Sequence, residues 1–515
     1  MARHFDAKSR KITPVAVHSF FSRPLTQSGE SKRRDYNIIF FSLLHKLSSQ
    51  PSPSERHTTM KAFSFLLLSF QSVSFLGIHA FSTVKSSVFR GNNRVFRRAT
   101  TLETDETVVS VSSEPPSWDK LNELLKEATP TDTEQALVTL YRDLNGWCPF
   151  CERVWVALRA KKIPYKEQLI SLQNKPEWYK ALVPTTLVPA VLFHGDENIP
   201  ERKIVWESLD IMKALDEEFP DHLPKLIQED LPEFNEAKEM MDQMSSAGFA
   251  YIYSSRNESL TESDREELRV KFVQELDKLD DALSKAGPFR LGGEFSGMDA
   301  LMVPMLERWR YQLPITAGMD ILENRPHIQA WFEAMDKFEP YSNRVAGDAY
   351  SWTATNAMFL RYFGGGDEKP EVVAAIERSE TLSQQLTSSF ANSAIDETFA
   401  LEAATKLITN HEAVVQDCTN ADPKSQKDVA RATNTELADY MLRYVSNVLL
   451  SSQPAEQAAI APLMAMESTD DMKEAAVAAR TVSARLCVPR DMGAPAAQLL
   501  RKVLTVVADR LDGSN

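Results

Sequence analysis

Two regimes of apolar spacing divide the chain after residue 132. In the first, short apolar runs of strand length alternate with stretches at helical spacing. Leu137–Tyr141, Tyr165–Ser171, Ala190–His194 and Lys203–Trp206 predict strands, and Glu152–Lys161, Pro176–Ala181 and Glu207–Phe219 predict helices. The order over 133–222 is βαβαββα. From Leu231 to about Arg344 the period is helical throughout, with long helices expected over Glu262–Ala286 and Met298–Gln312 and no convincing strand. Gly292-Gly293-Glu294-Phe295-Ser296-Gly297-Met298-Asp299 reads as a loop entering a helix. There Ser296 caps and Asp299 reaches back as a capping box, a structural role.

Residues 346–515 form a third stretch, predominantly helical after Gly364-Gly365-Gly366, without a clean internal repeat. Pro495 opens the last helix, whose apolar face is Ala496, Leu499, Leu500, Val503, Val507 and Leu511, and Ser468 with Asp471 caps the helix before it. This extension is a packed helical appendage with no chemistry declared in its residues. Ahead of the folded part, 101–132 is acidic and contains Ser and Pro, with one amphipathic piece from Trp118 to Lys126, and reads as a linker.

A chain of 515 residues, 43% of them hydrophobic, has the apolar content for real cores in roughly two to four domains. The net charge is −14, yet the first hundred residues are strongly basic, so the remainder is more acidic than the total suggests and gives no support to a nucleic-acid partner. Four cysteines, two in one motif, argue against a secreted disulfide scaffold.

The N-terminal region reads as a targeting sequence. Met60-Lys61 opens a hydrophobic run, Ala62 to Ile78, followed by His79-Ala80-Phe81 and then by Ser82 to Ala99, rich in Ser and Arg and free of acids. A signal peptide, an Ala-Phe junction and a basic transit segment over 60–100 resemble the bipartite plastid presequence of algae with secondary plastids. The alternative, a membrane anchor, fits less well because the run is short and broken by Ser and Gln. The expected location is the plastid, with no integral membrane association of the mature form. Residues 1–59 read as a disordered upstream extension, with translation starting at Met60.

Candidate chemistry sits at Cys148-Pro149-Phe150-Cys151, between the first strand and the first helix. Unpaired N–H groups and the helix dipole favour a thiolate at a helix N-terminus, so Cys148 is expected to be the more acidic and exposed thiol. Pro149 suits the first helical position. A zinc half-site or a buried pair of cysteines remains an alternative, although Cys418 and Cys487 are isolated and far downstream. With this motif at the first strand-to-helix turn, the βαβαββα order describes a thioredoxin-like domain. The fold class is therefore α/β plus all-α.

Asn145-Gly146-Trp147-Cys148-Pro149-Phe150-Cys151-Glu152-Arg153-Val154-Trp155, then Asn174-Lys175-Pro176-Glu177-Trp178-Tyr179, Leu187-Val188-Pro189-Ala190-Val191 and Trp206-Glu207-Ser208 together resemble the cysteine-type glutathione transferases. The omega and lambda classes share all four blocks. The Cys-Pro-Phe-Cys form with a long extension looks most like the iota class of photosynthetic organisms, and Arg485-Leu-Cys-Val-Pro-Arg-Asp-Met492 resembles that class's extension. The resemblance implies a thioredoxin-like glutathione-binding domain over 133–222 and a helical glutathione-transferase C-terminal domain over 223–345. It implies glutathione as co-substrate, no metal, and a homodimer unless the extension takes that interface.

Glutathione is an anionic tripeptide, so its site needs a thiol, an edge of main chain and groups for two carboxylates. Val188 would pair its N–H and C=O with the cysteinyl unit if Val188–Pro189 is cis. Glu207 would take the γ-glutamyl ammonium, Ser208 and the helix N–H groups its carboxylate, Lys175 the glycyl carboxylate or the backbone, and Phe150 would pack on the ligand. Carried over by resemblance, Cys148 is the nucleophile and Phe150, Lys175, Val188, Glu207 and Ser208 are the contacts. Plainer roles stay open: a helix-start acid and cap, a surface lysine, a strand-edge proline. Arg153 either stabilises the thiolate or pairs on a solvent-facing side.

Omega and lambda proteins usually carry an apolar residue where Cys151 stands, whereas dithiol glutaredoxins have this second cysteine. Cys151 is thus a resolving or switching thiol, or a buried small apolar residue. The expected function is a glutathione-dependent thiol transferase or reductase, removing glutathione from proteins or conjugates or reducing dehydroascorbate on thiol and disulfide acceptors. A cysteine favours these exchanges over conjugation, because it forms a mixed disulfide with glutathione. The alternative is a non-catalytic carrier of tetrapyrroles or flavonoid-like ligands in a cleft lined by Trp178, Trp206, Trp309 and Tyr311. A third idea is that the extension docks a partner or mediates self-association.

Overall fold

The structure, a computed structural model, describes residues 114–129, 135–195, 203–255, 257, 259–363, 369–419, 431–460 and 468–513. The upstream extension, the presequence and half of the segment 101–132 lie outside the described residues. The first element is helix α1 (Trp118–Ala128), followed by β1 (Val138–Asp143), α2 (Pro149–Ala160), β2 (Tyr165–Ile170), α3 (Glu177–Leu182), β3 (Ala190–Phe193), β4 (Ile204–Trp206) and α4 (Ser208–Glu218).

The strands form one sheet in the order β2-β1-β3-β4. β1 runs parallel to β2, with Val138 opposite Tyr165, so α2 serves as the crossover that a parallel pair requires. β3 is antiparallel to both neighbours, with Leu140 opposite Val191 and Ala190 opposite Trp206. β1 continues past the predicted Tyr141 through Arg142 and Asp143. Arg142 is buried there because its Nε donates to Glu167 of β2 at 2.9 Å and its guanidinium lies 4.0 Å from the Trp155 ring centroid. A paired, stacked guanidinium can occupy a strand that apolar patterning alone would end.

Helices α5 (Pro232–Ser254), α6 (Glu262–Ala286), α7 (Gly297–Thr316), α8 (Pro326–Lys337) and α9 (Glu339–Ser342) follow, and α6 has the predicted bounds. α7 outruns its predicted end at Gln312, carrying Pro304 and Pro314 inside it. At its start Asp299 accepts the Ser296 N–H at 2.8 Å and the Ser296 hydroxyl at 2.7 Å on one oxygen. The other oxygen accepts the Arg290 N–H at 2.9 Å and the Trp331 indole N–H at 2.8 Å. The Ser296 hydroxyl thus donates into the carboxylate, and Asp299 becomes a buried hub whose burial pushes its carboxyl above the usual range.

Residues beyond 346 form α10 (Ala349–Phe363), α11 (Pro370–Thr387), α12 (Ala400–Thr419), α13 (Thr435–Leu449), α14 (Pro454–Ile460), α15 (Thr469–Arg485) and α16 (Ala494–Asp512). Ser468 Oγ accepts the Asp471 N–H at 3.1 Å, and the predicted apolar face of α16 is buried. One hydrophobic cluster runs from Val138 to Ala346 and a second joins α12, α13, α15 and α16. The thioredoxin-like domain, the helical domain and the extra C-terminal helices are thus all present.

Part of the expected linker belongs to the second cluster. α1 buries Leu121 and Leu125 in it, its Trp118 Nε1 donates to Asp439 at 2.7 Å, and the Trp118 ring stacks on His411. A stripe of Trp and two Leu at helical spacing gains more from an apolar face than from water, so this piece packs rather than tethers. Among the described residues no helix is long and apolar enough to cross a membrane.

Candidate active site

Cys148 caps α2 in extended backbone (φ −72°, ψ 116°), and its Sγ accepts the Cys151 N–H at 3.4 Å and lies 4.0 Å from the Val188 carbonyl oxygen. Pro149 follows it in the first turn. Both sulfurs are free thiols. The thiol expected to be exposed is fully buried, at 0% accessibility. Its neighbour Trp147 packs in a small apolar cluster with Trp352 and Cys487, and Phe359 of α10 meets the Trp147 ring edge-on at 5.3 Å. Chain from beyond residue 346 therefore packs on the loop that precedes the thiol, which the local sequence around Cys148 does not announce.

Cys151 is buried one turn further on. Burial first, then its hydrogen bond with Cys148 and the charge there, pushes its thiol well above the ordinary range. Asp143, at the end of β1, is 1% exposed; Oδ2 accepts the Trp147 N–H at 2.8 Å and Oδ1 has no hydrogen-bond partner. A carboxylate oxygen of Asp143 and both sulfurs lie within 4.8 Å of one another. That is a group of three potential ligands, whereas a structural zinc takes about four.

Arg153, Lys175 and Arg308 face the Cys148 sulfur electrostatically. Arg308, from α7, pairs with Glu152 at 2.7 Å, donates to the Trp147 carbonyl at 2.8 Å and lies 4.8 Å from the Trp352 ring centroid. Burial pulls its guanidinium down, but Glu152 and Glu307 hold it above the ordinary value. Burial pushes Glu152 up to about 8, opposed by Arg308 and reinforced by Glu307. Arg153 is buried over the Phe150 ring rather than paired on a solvent-facing side, and burial pulls it down to about 10. Lys175 is half-buried just before α3, and burial lowers its ammonium while the Cys148 charge acts the other way.

Val188 is 3% exposed and joined to Pro189 by a cis bond, and Tyr179, buried in α3, donates its hydroxyl to the Leu187 carbonyl at 2.7 Å. Ala190 pairs with Trp206, so the register carries Val188 and Pro189 toward the Glu207–Ser208 end of β4. Glu207 is the N-cap of α4 with φ 71° and ψ 124°, and Ser208 is buried as its first residue. Phe150 is half-buried beside the thiol.

The cleft expected from Trp178, Trp206, Trp309 and Tyr311 is not assembled by all four. Trp309 is core: a Cβ on Gly248 would come within 2.6 Å of its ring. Tyr311 packs against the Trp147 cluster, while Trp178 is 49% exposed beside Tyr141 and Tyr179. The sequence patterns above give no role to Asp143, Glu152, Tyr179 or Arg308. An acid ending an apolar strand was a usable signal for Asp143; Arg308 reaches the site from a distant helix and has no local signal.

Residues 147–218 match the family described as glutathione S-transferase, N-terminal domain, and residues 262–334 match glutathione S-transferase, C-terminal domain. The curated protein "Glutathione S-transferase L2, chloroplastic" of Arabidopsis thaliana is 30% identical over 227 residues, which is 43% of this chain and 71% of that protein. "Probable glutathione S-transferase DHAR1, cytosolic" of Oryza sativa subsp. japonica is 30% identical over 202 residues, 39% of this chain and 84% of that protein. Among solved structures, glutathione transferase Omega 3C from Trametes versicolor covers 44% of this chain and 94% of its own at 23% identity, with a TM-score of 0.34.

Proposed function

The chain belongs to the glutathione S-transferase family, and on that premise we propose that it is a glutathione-dependent thiol transferase or reductase of the cysteine type, with Cys148 as nucleophile. The observation that carries the reading is the sulfur of Cys148 at the N-terminus of α2, accepting a backbone N–H and faced by Arg153, Lys175 and Arg308. That environment supports a thiolate. The thiolate attacks the glutathionyl sulfur of a mixed disulfide R–S–S–G, the bond to R–S breaks, and R–S⁻ leaves and is protonated. A glutathione thiolate then attacks the Cys148-bound glutathionyl sulfur, releasing glutathione disulfide and the Cys148 thiolate.

Val188 pairs main chain with the cysteinyl unit in this reading, Glu207 and Ser208 hold the γ-glutamyl end, Lys175 the glycyl carboxylate, and Phe150 packs alongside. The left-handed backbone of Glu207 supports a binding role, since a non-glycine residue keeps such a conformation where its surroundings over-determine it. The acceptors are thiol and disulfide compounds or dehydroascorbate. The Cys-Pro-Phe-Cys motif and the 485–492 segment favour the iota class, and Pro489 of that segment abuts the site loop, 3.2 Å from where a Gly146 Cβ would lie. A plastid location rests on the 60–100 reading and on the chloroplastic relative. Residues 133–222 and 223–345 are read as the two transferase domains and 346–515 as the extension, with a homodimer as the expected assembly.

Mass spectrometry after glutathione disulfide treatment tests the reading. Cys151→Ser should hold one glutathionyl group on Cys148, and Cys148→Ser should lose thiol-transferase turnover. Full turnover in Cys148→Ser overturns the assignment.

A further inference from the structure

The cycle above leaves the buried carboxylate of Asp143 and the thiol of Cys151 unused. Asp143 is 1% exposed, Oδ2 is occupied by the Trp147 N–H, and Oδ1 has no partner. A carboxylate is an acceptor only, so a buried, unpartnered oxygen there calls for a donor. With a carboxylate oxygen and both sulfurs inside 4.8 Å, the thiols are donors close beside the carboxylate, short of a hydrogen bond to Oδ1 as they stand. Cys148 has a backbone N–H directed at its sulfur, an arrangement that favours its thiolate without a base. Cys151 is 1% exposed and has no bulk water to take its proton, and burial pushes its thiol well above the ordinary range.

We propose that Asp143 is the proton acceptor that turns Cys151 into a resolving nucleophile. The step rests on the mixed disulfide at Cys148 proposed above. The Cys151 S–H proton passes to the Asp143 carboxylate, and the Cys151 thiolate attacks the Cys148 sulfur. The Cys148–glutathionyl S–S bond breaks as the Cys148–Cys151 bond forms, and glutathione leaves as thiolate and takes the proton from Asp143. The glutathionyl donor is thereby reduced and the two protein thiols oxidised. Two further glutathione molecules restore both thiols and leave as glutathione disulfide. The acceptor would also let the protein resolve mixed disulfides at neutral pH before a second glutathione binds.

The duller role for Asp143 is a staple of the loop through the Trp147 N–H. Asp143→Asn separates the two, because the amide carbonyl keeps that acceptor while a base is lost. Dithiobis(nitrobenzoate) is the probe: Cys148 releases a first coloured thiolate and Cys151, on resolving, a second. The ratio of second-phase to first-phase rate at pH 7 should fall about a hundredfold in Asp143→Asn. In that variant the second phase should climb about tenfold per pH unit above neutrality, following the Cys151 thiolate, while the wild type changes little. The groups facing the pair are Cys148 and Arg153 of α2, Lys175, Tyr179 of α3, Arg308 of α7 and Arg142, whose Nη1 donates to the Asp143 carbonyl. None of them is altered by the substitution. Equal slowing of both phases, an unchanged ratio, or a second phase that survives in Cys151→Ser overturns the proposal. Uptake of the aromatic thiolate but not of glutathione from glutathione disulfide sinks the glutathione reading instead, with the ratio still reporting on Asp143.

Discussion

Cys148 and Cys151 lie one turn apart, but only the first has its sulfur at the end of α2 where a backbone N–H points at it, while the second is enclosed in the helix and its thiol is raised by burial. Their neighbours set which of the two is the candidate nucleophile. A comparable local conflict sits at Glu207, where φ is 71° with a full side chain. Glycine adopts that backbone without the Cβ clash, so Glu207→Gly should stabilise the protein by about 1 kcal/mol. If Glu207 also holds the γ-glutamyl ammonium, the same variant should raise KM for glutathione about tenfold. Thermal unfolding and steady-state kinetics on one preparation read both effects, and a KM that does not move removes Glu207 from the site. The cysteines, Val188 and Glu207 stood out in the sequence because their neighbours in the chain mark them. Asp143 and Arg308 did not, because Asp143 matters through sulfurs across a loop and Arg308 through a partner, Glu152, in another helix.

At the scale of elements, helix ends and faces were legible where the partner lies nearby in sequence. The start of α7 is such a case: Ser296 and Asp299 were marked by spacing, but Trp331 and Arg290, which complete the hub, were not. Asp299→Ala would leave buried donors on Ser296, Arg290 and Trp331 without an acceptor and should destabilise the protein by about 3 kcal/mol, read as a lower urea midpoint. A shift within error would mean that water replaces the carboxylate. α1 reads as linker in the sequence because its stripe is short and the face it covers is built from chain about 300 residues away in α12 and α13, a separation no local pattern reports. α10 bears on the site in the same long-range way. Phe359 packs against Trp147 beside the fully buried Cys148, so Phe359→Ala should loosen that loop and speed iodoacetamide labelling of Cys148 about tenfold in a Cys151→Ser background. Unaltered labelling would assign the burial of Cys148 to other contacts.

Across the whole molecule, the join between the strand layer and the C-terminal helices is ionic as well as apolar. Arg142 and Glu167 on β1 and β2, Arg344 after α9, and Glu402 and Lys406 on α12 share one buried neighbourhood. Arg344 Nε lies 3.9 Å from Glu402, and its Nη1 donates to the Pro489 carbonyl at 2.7 Å. Burial, and next the charge of Arg344, pulls the Lys406 ammonium down from 10.5 to about 8, against the pull of Glu167 and Glu402. Unfolded chain would therefore hold that proton between about pH 8 and 10.5 while folded chain has released it. More protons bound to the unfolded state means that stability rises with pH across this window. The penalty on the charged form is fully present below pH 8 and lifted above 10.5, about 3 kcal/mol over the interval. Cysteines and tyrosines of the unfolded chain titrate in the same range, so the informative quantity is the difference between wild type and Lys406→Met. Methionine keeps the unbranched stem in its buried place without the charge. Urea midpoints taken from pH 7.5 to 10.5 should show the wild type less stable than the variant at the low end and converging on it at the high end. Parallel curves would mean that Glu167 and Glu402 compensate the ammonium fully, so that Lys406 carries no net penalty at the join.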